Sequence, residues 1–192
     1  MNKVVLVTGG AKRIGKSICK KFHENGFSII CHYNSSDEEA ENLKKELNSV
    51  RANSIETIKF DLNDYKNYNS FCDSILKKYG KLDVLINNAS SFFSTPVNED
   101  NLSDWDDLIN SNVKGPLIIV KYFADYLKKN LGTVINLSDA MIIRGMKDYS
   151  IYSIAKGGLE TLTKSLAKEL APEIRVNAVA PGAILLLSLI HI

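Results

Sequence analysis

Short, continuous apolar runs alternate along the chain with longer stretches in which apolar residues recur every three or four positions. Uninterrupted runs are typical of strands buried on both faces, and the wider spacing is typical of helices that cover them. We predict six strands, at residues 4–7, 27–31, 55–60, 84–86, 132–137 and 174–178, with helices in the intervals. This alternation predicts an α/β fold, namely a doubly wound parallel sheet of the Rossmann type with right-handed crossovers.

The first strand leads through a glycine-rich turn into the first helix. Thr8, Gly9 and Gly10 follow the strand, and after Gly15 apolar residues return at helical spacing. Glycine lets a backbone approach a pyrophosphate closely, and a helix N-terminus offers unpaired N–H groups and partial positive charge. The turn by itself also fits an ordinary tight turn, but its place in the first strand–helix unit predicts a dinucleotide site.

The residues after the second strand indicate which dinucleotide binds. A site for NAD carries a carboxylate for the ribose about 20 residues after the glycine turn. Here the segment has no acid before Asp37 and consists of His32, Tyr33, Asn34, Ser35 and Ser36. The missing acid, together with Lys12 and Arg13 in the turn, favours the 2′-phosphate of NADPH. We interpret Ser36 and Glu39 as a capping box for the second helix, and Asp37 as a partner of the helix dipole.

Tyr152 and Lys156 are the candidate catalytic pair. They lie four residues apart in a segment with helical periodicity, which predicts that both side chains share one face. An ammonium group beside a phenol favours the phenolate, so we expect Lys156 to lower the pKa of Tyr152 from about 10 and make it a proton donor and acceptor. The spacing alone also fits a surface pair on an ordinary helix, so other parts of the chain must decide.

A loop of small polar residues follows the fourth strand, at the edge of a parallel sheet where ligands bind. It contains Asn88, Ala89 and Ser90, and two phenylalanines, Phe92 and Phe93, come shortly afterwards. An aromatic pair in such a loop is either an anchor packed beneath neighbouring helices or a stacking surface for a flat ring. Both interpretations are open at this point.

Composition narrows the function classes. The 192 residues carry a net charge of +2 without a basic block, so neither nucleic acid nor a membrane surface is a predicted partner. Cys19, Cys31 and Cys72 lack the spacing of a zinc site or a disulfide framework, which predicts no metal and fits a reducing compartment. No apolar run is long enough for a membrane span. We therefore predict a cytoplasmic protein with a small-molecule substrate.

Six motifs in a fixed order resemble the short-chain dehydrogenase/reductase family over nearly the whole chain. They are TGGAKRIG from Thr8, the pair Asp61–Leu62, NNAS from Asn87, NVKG from Asn112, YSIAK from Tyr152 and RVNAVAPG from Arg175. The resemblance implies that Tyr152 is the general acid, that Lys156 holds the nicotinamide ribose and tunes the tyrosine, and that Asn112 keeps a proton-relay water. It also implies a set of cofactor-binding residues: Thr8, Gly9, Lys12, Arg13, Ile14, Gly15, Asn34, Ser35, Ser36, Asp61, Leu62, Asn88, Ala89, Ser90, Lys156, Pro181 and Gly182.

Two departures from the family's common pattern make the chain similar to the pteridine reductases within it. Asp139 stands where the family commonly has a serine, with Ser138 displaced by one position, and Arg13 replaces a glycine of the turn. With NNASSFF and the His32–Tyr33 pair, this similarity implies a substrate site of Arg13, Phe92, Asp139 and Tyr152. The implied activity is NADPH-dependent hydride transfer to a C=N bond of a dihydropterin or dihydrofolate-like substrate.

One position does not fit this similarity, and two other functions remain open. Pteridine reductases of the trypanosomatid type carry an arginine where Ser35 stands, so phosphate recognition falls to Lys12, Asn34, Ser35 or Ser36. The alternative in the same class is a carbonyl reductase such as a 3-oxoacyl-thioester reductase. The alternative in another class is a nucleotide-binding module without turnover. The family usually forms tetramers, and we expect a homotetramer of the full-length protein.

The C-terminal end departs from the family in length. The resemblance implies some dozens of residues after the PG motif, including a substrate-covering segment and a seventh strand, yet ten residues follow Gly182. We expect residues 1–186 to be a dinucleotide-binding domain that lacks its final strand. We expect residues 187–192 to be a non-native tail, so that His191 has no functional role.

Overall fold

The computed structural model describes residues 2–99 and 102–182. In these residues one parallel sheet contains six strands, which are β1 (Val4–Val7), β2 (Ser28–Tyr33), β3 (Ile55–Lys59), β4 (Val84–Asn87), β5 (Thr133–Leu137) and β6 (Arg175–Val179). The sheet order is β3-β2-β1-β4-β5-β6, so the chain starts in the middle and builds outward first on one side and then on the other. The predicted doubly wound α/β fold is confirmed.

Helices connect the strands of this sheet. In the described residues they are α1 (Arg13–Glu24), α2 (Asp37–Val50), α3 (Tyr68–Tyr79), α4 (Trp105–Ile109), α5 (Gly115–Lys129) and α6 (Ser150–Glu169). Short 3₁₀ turns lie at Leu102–Asp104 and Ala140–Arg144, and a π-helical turn, Asn110–Lys114, joins α4 to α5. The chain is therefore continuously helical through Asn112, from Trp105 to Lys129.

β2 extends two residues further than predicted, so two polar residues that the sequence placed in a loop belong to the sheet. His32 pairs with Ile58 and Tyr33 with Lys59, so the ladder with β3 continues past Cys31. The polar character of these two residues hides the strand from a search for apolar runs. Their place in the ladder fixes both side chains at the carboxyl end of the sheet.

Alternate residues of the central strands face two separate layers of helices. Val5 and Val7 of β1 pack in the layer with α1 and α2, whereas Val4 and Leu6 pack with α3, α5 and α6. Successive side chains of a strand point to opposite faces, so both must be apolar when both faces are covered. This burial on two sides explains the unbroken apolar runs in the sequence.

Backbone segments approach closely at the switch point between β1 and β4, where the strand order reverses. A side chain at Gly15 would place its Cβ 2.1 Å from the Gly9 carbonyl oxygen, and one at Gly9 would place its Cβ 2.9 Å from Ala89 Cα. Gly9 also has a φ of +62°, which favours glycine. Glycine therefore lets α1 begin directly against the turn, at the point where open α/β sheets form ligand-binding crevices.

The capping box predicted at the start of α2 is wrong. Ser36 is the N-cap of α2, but its side chain makes no cap hydrogen bond. Its φ of −98° and ψ of 60° differ from the extended conformation that usually accompanies such a bond. The first N–H groups of α2 are therefore left without the partner that the sequence suggested.

The predicted features of the C-terminal end are only partly within the described residues. β6 pairs with β5 and, in the described part of the chain, with no other strand. Three predictions lie outside the described residues: the missing seventh strand, the non-native tail at residues 187–192 and the absence of a role for His191.

Neither a membrane span nor a metal cluster is found in the described ranges. No helix in residues 2–99 and 102–182 is long and apolar enough to cross a membrane. The same ranges contain no group of three or more His, Cys, Asp or Glu side chains that could hold a metal ion. Cys19, Cys31 and Cys72 are buried free thiols that pack within the two core layers.

Gly15→Ala should destabilise the protein, because the nearest atom to the added methyl group would be the Gly9 carbonyl oxygen at 2.1 Å, a backbone atom that cannot move aside as a side chain can. We expect a loss of at least ~2 kcal/mol in the free energy of unfolding, measured by chemical denaturation. Gly157→Ala in α6 is the matched control, since no atom lies within 4 Å of the added Cβ and alanine favours a helix by about 1 kcal/mol over glycine. Equal unfolding free energies for the two variants would contradict this account of the turn.

Candidate active site

A cleft of about 260 Å³ opens at the carboxyl ends of the strands, above the glycine turn. Its walls come from the ends of β1 to β4 and from the segment containing α4 and the π-helical turn. The lining residues are Gly9, Ala11, Lys12, His32, Tyr33, Asn34, Ser35, Ser36, Asp61, Leu62, Asn63, Ala89, Ser90, Ser91, Asp107 and Ser111. The cleft is therefore predominantly polar and lies at the switch point of the sheet.

Thr8 and Asn88 join the glycine turn to the loop after β4. The Thr8 Oγ1 atom accepts hydrogen bonds from the backbone N–H groups of Asn88 and Ala89, both at 3.0 Å. The side-chain amide of Asn88 donates to the carbonyl oxygens of Thr8 and Gly9, at 2.9 and 3.0 Å. Because these polar groups bond to one another, Thr8 and Asn88 shape the floor of the cleft and are not part of its lining.

His32 supports the same turn and is absent from the sequence-based site. Its Nδ1 accepts the Gly9 N–H at 3.2 Å, and its Nε2 is 2.9 Å from the Phe60 carbonyl oxygen. These partners require a neutral ring with its proton on Nε2. Burial lowers the pKa of His32 to about 4, because a charged ring is poorly solvated there. The sequence prediction placed His32 in a loop, where such a supporting role is not visible.

Asp107 connects loops that border the cleft and was also missed. Its Oδ1 accepts hydrogen bonds from the side chains of Asn63, at 2.7 Å, and Ser91, at 3.0 Å. Its backbone carbonyl accepts from the Ser111 hydroxyl at 2.7 Å. The contacts with Asn63 and Ser91 join positions that are far apart in the chain, so no motif or spacing in the sequence indicates them.

The predicted cofactor-binding residues divide into those that line the cleft and those that do not. The lining group is Gly9, Lys12, Asn34, Ser35, Ser36, Asp61, Leu62, Ala89 and Ser90. The other predicted residues are Thr8, Arg13, Ile14, Gly15, Asn88, Lys156, Pro181 and Gly182. Pro181 lies next to the segment of Asp139, since its carbonyl oxygen accepts the Ala140 N–H at 3.1 Å. Arg13 is exposed at the start of α1 with a φ of +50°.

Tyr152 and Asp139 form the central contact of the candidate active site. The Tyr152 hydroxyl donates to Asp139 Oδ2 at 2.8 Å, and Oδ1 accepts the Met141 N–H at 2.8 Å. Burial and the adjacent carboxylate raise the pKa of Tyr152, and a hydrogen bond with Ser90 opposes this rise. The expectation that the pKa of Tyr152 lies below its ordinary value is wrong, because burial and the carboxylate bonded to the hydroxyl outweigh the Lys156 ammonium, which lies 5.9 Å from the ring centroid.

Lys156 lies on the same face of α6 as Tyr152 and is 3% exposed. Its Nζ donates to the Leu137 carbonyl oxygen at 2.8 Å, which holds the ammonium at the end of β5. Burial lowers the pKa of Lys156 to about 8, and the charge of Asp139 opposes this change. The side chain is therefore a buried cation that is mostly protonated at neutral pH.

The π-helical turn carries Asn112 at the edge of the site. Its Nδ2 donates to the carbonyl oxygens of Ser91 and Leu108, both at 3.0 Å, and its Oδ1 accepts from the Ser90 hydroxyl at 2.8 Å. Ser90 is also a neighbour of Tyr152 and lowers its pKa. Asn112 and Ser90 are therefore joined by a hydrogen bond beside Tyr152, and π-helical turns are frequent at functional sites.

The two phenylalanines of the β4 loop have different surroundings. Phe92 is 53% exposed, stacks on Tyr149 with ring centroids 4.7 Å apart, and meets the Tyr152 ring edge-on at 4.8 Å. Phe93 packs into a small apolar cluster that includes Leu108. The anchor interpretation fits Phe93, and a surface open to a flat ligand fits Phe92.

The cleft has the features that a dinucleotide requires. Lys12, the N-cap of α1, makes no side-chain cap hydrogen bond, so the first N–H groups of the helix are open to a phosphate. Gly9 and Gly15 allow close backbone approach at the turn, where a Cβ would collide. Further along the cleft, Ser36 and Asp61 offer polar groups for a ribose and a base.

Comparison with known proteins identifies a family, and the relatives include two kinds of reductase. A family model described as short chain dehydrogenase matches residues 3–186. Pteridine reductase 1 from Leishmania tarentolae is 35% identical over 218 aligned residues, which cover 93% of this chain and 75% of the relative. The 3-oxoacyl-acyl-carrier-protein reductase FabG from Staphylococcus aureus is also 35% identical, over 192 aligned residues that cover 96% and 75%. Identity alone therefore does not distinguish between these two substrate classes.

The burial of Lys156 predicts a pH dependence of stability with a definite sign. Its pKa is about 8 in the folded protein, against an ordinary value of 10.5, so between these values the unfolded chain binds more protons. Stability should then rise with pH in this window. Relative to Lys156→Met, the wild type should gain about 2 kcal/mol of unfolding free energy between about pH 7.5 and pH 10. Denaturant titrations measure this, and parallel pH profiles of the two proteins would show that the buried charge is not penalised.

Proposed function

Because the chain belongs to the short-chain dehydrogenase family, whose members are oxidoreductases with a nicotinamide cofactor, we propose that it is an NADPH-dependent reductase of a dihydropterin or dihydrofolate-like substrate. The reaction adds a hydride to the carbon of a ring C=N bond and a proton to the nitrogen. The bound cofactor supplies the hydride. The residues of this chain must then hold the ring and deliver the proton.

The hydrogen bond between Tyr152 and Asp139 is the observation that carries the proposed substrate class. A ring nitrogen must receive a full proton, and a phenol bonded to a carboxyl group can give one and be resupplied. The raised pKa of Tyr152 means that its hydroxyl keeps the proton until an acceptor arrives. Asp139 is half-buried, so solvent reaches the carboxyl group that accepts the Tyr152 hydroxyl, and in the proposed mechanism the tyrosine is resupplied with a proton through this contact.

Lys156 and Asn112 support this proton transfer in the proposed mechanism. When Tyr152 gives up its proton, the Lys156 ammonium, 5.9 Å from the ring centroid, stabilises the phenolate. Asn112 holds the Ser90 hydroxyl by a hydrogen bond at 2.8 Å, and Ser90 in turn is a neighbour of Tyr152 that lowers its pKa. We therefore propose for Tyr152, Lys156, Asn112 and Asp139 the catalytic roles that the sequence predicts.

Phe92 and Arg13 are the proposed contacts for the flat ring. The Phe92 ring is 53% exposed and lies next to Tyr152, with centroids 4.8 Å apart, so a ring stacked on Phe92 would be within reach of the proton donor. Arg13 carries a planar guanidinium group at the start of α1, which suits both a phosphate and the polar edge of a pterin. An acyl thioester has no flat ring that needs such a surface.

A carbonyl reductase is the alternative in the same class, and the similarity to a 3-oxoacyl reductase supports it. In that interpretation a serine hydroxyl would assist Tyr152. Ser138 donates instead to Glu160 at 2.7 Å, and Asp139 occupies the position on the tyrosine hydroxyl. A nucleotide-binding module without turnover is the alternative in another class, but the cost of burying Lys156 beside Tyr152 is hard to explain without catalysis.

The proposal of NADPH depends on the lining at the end of β2. Asn34, Ser35 and Ser36 line the cleft together with Lys12, and none of the residues between Cys31 and Asp37 is acidic. Hydroxyl, amide and ammonium groups match a 2′-phosphate, whereas a carboxylate would be needed to hold a free 2′-hydroxyl. The hydroxyl of Ser36 also makes no cap bond to α2.

Asp139→Ser should impair pterin reduction more than carbonyl reduction. We expect kcat/KM for a dihydropterin to fall at least ~100-fold, because the proton donor loses its resupplying carboxyl group. Reduction of an acetoacetyl thioester should change much less, and NADPH oxidation with each substrate measures both activities. Tyr152→Phe is the control, which should remove both activities and leave NADPH binding within about twofold of the wild type.

The same assay separates the alternatives. A wild type that reduces the thioester and not the pterin would replace the proposed function with the carbonyl reductase. A wild type that binds NADPH and reduces neither substrate would favour a binding module.

NADPH should bind more tightly than NADH by about 1 to 3 kcal/mol, the range of charge-assisted hydrogen bonds to a phosphate. Titration calorimetry with both cofactors gives the difference. Lys12→Met should reduce it by weakening NADPH binding alone. Equal dissociation constants in the wild type would refute the proposed cofactor.

A further inference from the structure

An ion pair lies at the end of the cleft where the proposed 2′-phosphate would bind. The Lys59 Nζ atom is 2.9 and 2.8 Å from the two carboxylate oxygens of Asp37. Lys59 is the last residue of β3 and is in register with Tyr33, the last residue of β2. Asp37 is the first residue of α2 and follows Ser36, which lines the cleft. The pair therefore bridges the carboxyl edge of the sheet and the start of α2.

The Asp37 carboxylate also has a partner from the cleft wall. The side chain of Tyr33, a lining residue, lies beside it. The bond from Lys59 lowers the pKa of Asp37, so the carboxylate is charged at neutral pH. Asp37 is thus a fixed negative charge one residue from the proposed phosphate site, and Lys59 is the cation that faces it.

The charges at the start of α2 oppose a phosphate. The first turn of α2 contains Asp37, Glu38 and Glu39. Such acids stabilise the helix N-terminus, but they also repel a phosphate dianion that approaches the same end. Within the cleft lining, Lys12 is the cationic side chain. One lysine leaves the excess of negative charge at the β2–α2 junction uncompensated.

We propose that Lys59 is a specificity-determining residue for the cofactor: by neutralising Asp37 it permits a 2′-phosphate to bind beside α2. The inference rests on the proposed use of NADPH and adds a residue that the cleft lining does not contain. Without Lys59, the free carboxylate would repel the phosphate and could accept the ribose hydroxyl of NADH. Lys59 acts through Asp37 and is not proposed to touch the reacting atoms.

Lys59→Met tests the proposal with both cofactors. We expect the Kd for NADPH to rise about tenfold, the size expected when one exposed unit charge acts on a phosphate dianion across several ångströms of solvent. The Kd for NADH should stay within about twofold or fall, and the loss for NADPH should shrink at high salt because exposed charges are screened. Lys45→Met is the matched control, since Lys45 forms an exposed pair with Glu41 further along α2, and both affinities should remain unchanged.

Removing the charge of Asp37 as well tests whether Lys59 acts through that carboxylate. Asp37→Asn combined with Lys59→Met should restore NADPH binding to within about threefold of the wild type, because neither charge is then present. A double variant that binds NADPH as weakly as Lys59→Met would overturn the proposal and indicate a direct contact between Lys59 and the phosphate. Equal weakening of NADPH and NADH in Lys59→Met would also overturn it, since it would indicate a general structural role.

The affinities of the wild type separate the proposal that NADPH is the cofactor from the proposal that Lys59 determines this preference. A wild type without preference for NADPH refutes the proposed cofactor, whatever the variants do. A wild type that prefers NADPH, with a Lys59→Met variant that keeps the same preference, refutes only the role of Lys59. A wild type that prefers NADPH, with a Lys59→Met variant that selectively loses NADPH affinity, supports both proposals.

Discussion

The close backbone contact among Gly9, Gly15 and Ala89 is the constraint on which the rest of the site depends. A Cβ at Gly15 would lie 2.1 Å from the Gly9 oxygen, so α1 can start where it does only because that position has no side chain. The loop after β4 then reaches the turn and is bound to it through Thr8 and Asn88. That loop also carries Ser90 and Phe92, so the geometry of the glycine turn is transmitted to the candidate proton donor and the aromatic surface.

A buried polar chain fixes α6 against the same edge of the sheet. Asn87 of β4 donates to Asn136 of β5, and Asn136 donates to Thr163 of α6, both at 2.8 Å. Hydrogen bonds are strong in a low-dielectric interior and demand one arrangement of their partners. The bond from Lys156 to the Leu137 oxygen adds a second connection between α6 and β5. The Tyr152 hydroxyl therefore meets Asp139 because sheet and helix are joined at fixed points.

The sequence predicted those parts of the fold and of the candidate site that depend on residues close together in the chain. The strands, the glycine turn and the shared face of Tyr152 and Lys156 follow from apolar runs and helical spacing, and the structure has the predicted sheet. His32 and Asp107 could not be found in this way, because their importance lies in contacts with Gly9 and with Asn63 and Ser91. The pKa of Tyr152 was predicted in the wrong direction for a related reason. Spacing gives only the distance between Tyr152 and Lys156 along the helix. The tertiary fold buries the hydroxyl and places the Asp139 carboxylate against it, and these two effects raise the pKa.

The charges around Tyr152 explain how a buried lysine can serve catalysis in the proposed mechanism. Burial makes charge unfavourable on both side chains, so the phenol keeps its proton and the pKa of Lys156 falls to about 8. In the resting site the Lys156 ammonium thus has a carbonyl oxygen as a partner and no adjacent anion on the tyrosine. Once Tyr152 loses its proton, the same ammonium faces a phenolate, and a charge that was costly becomes stabilising. An interaction that improves only as the proton moves lowers the barrier more than it stabilises the bound substrate. The burial of Lys156 is therefore consistent with a site organised around the proton transfer and not around substrate binding alone.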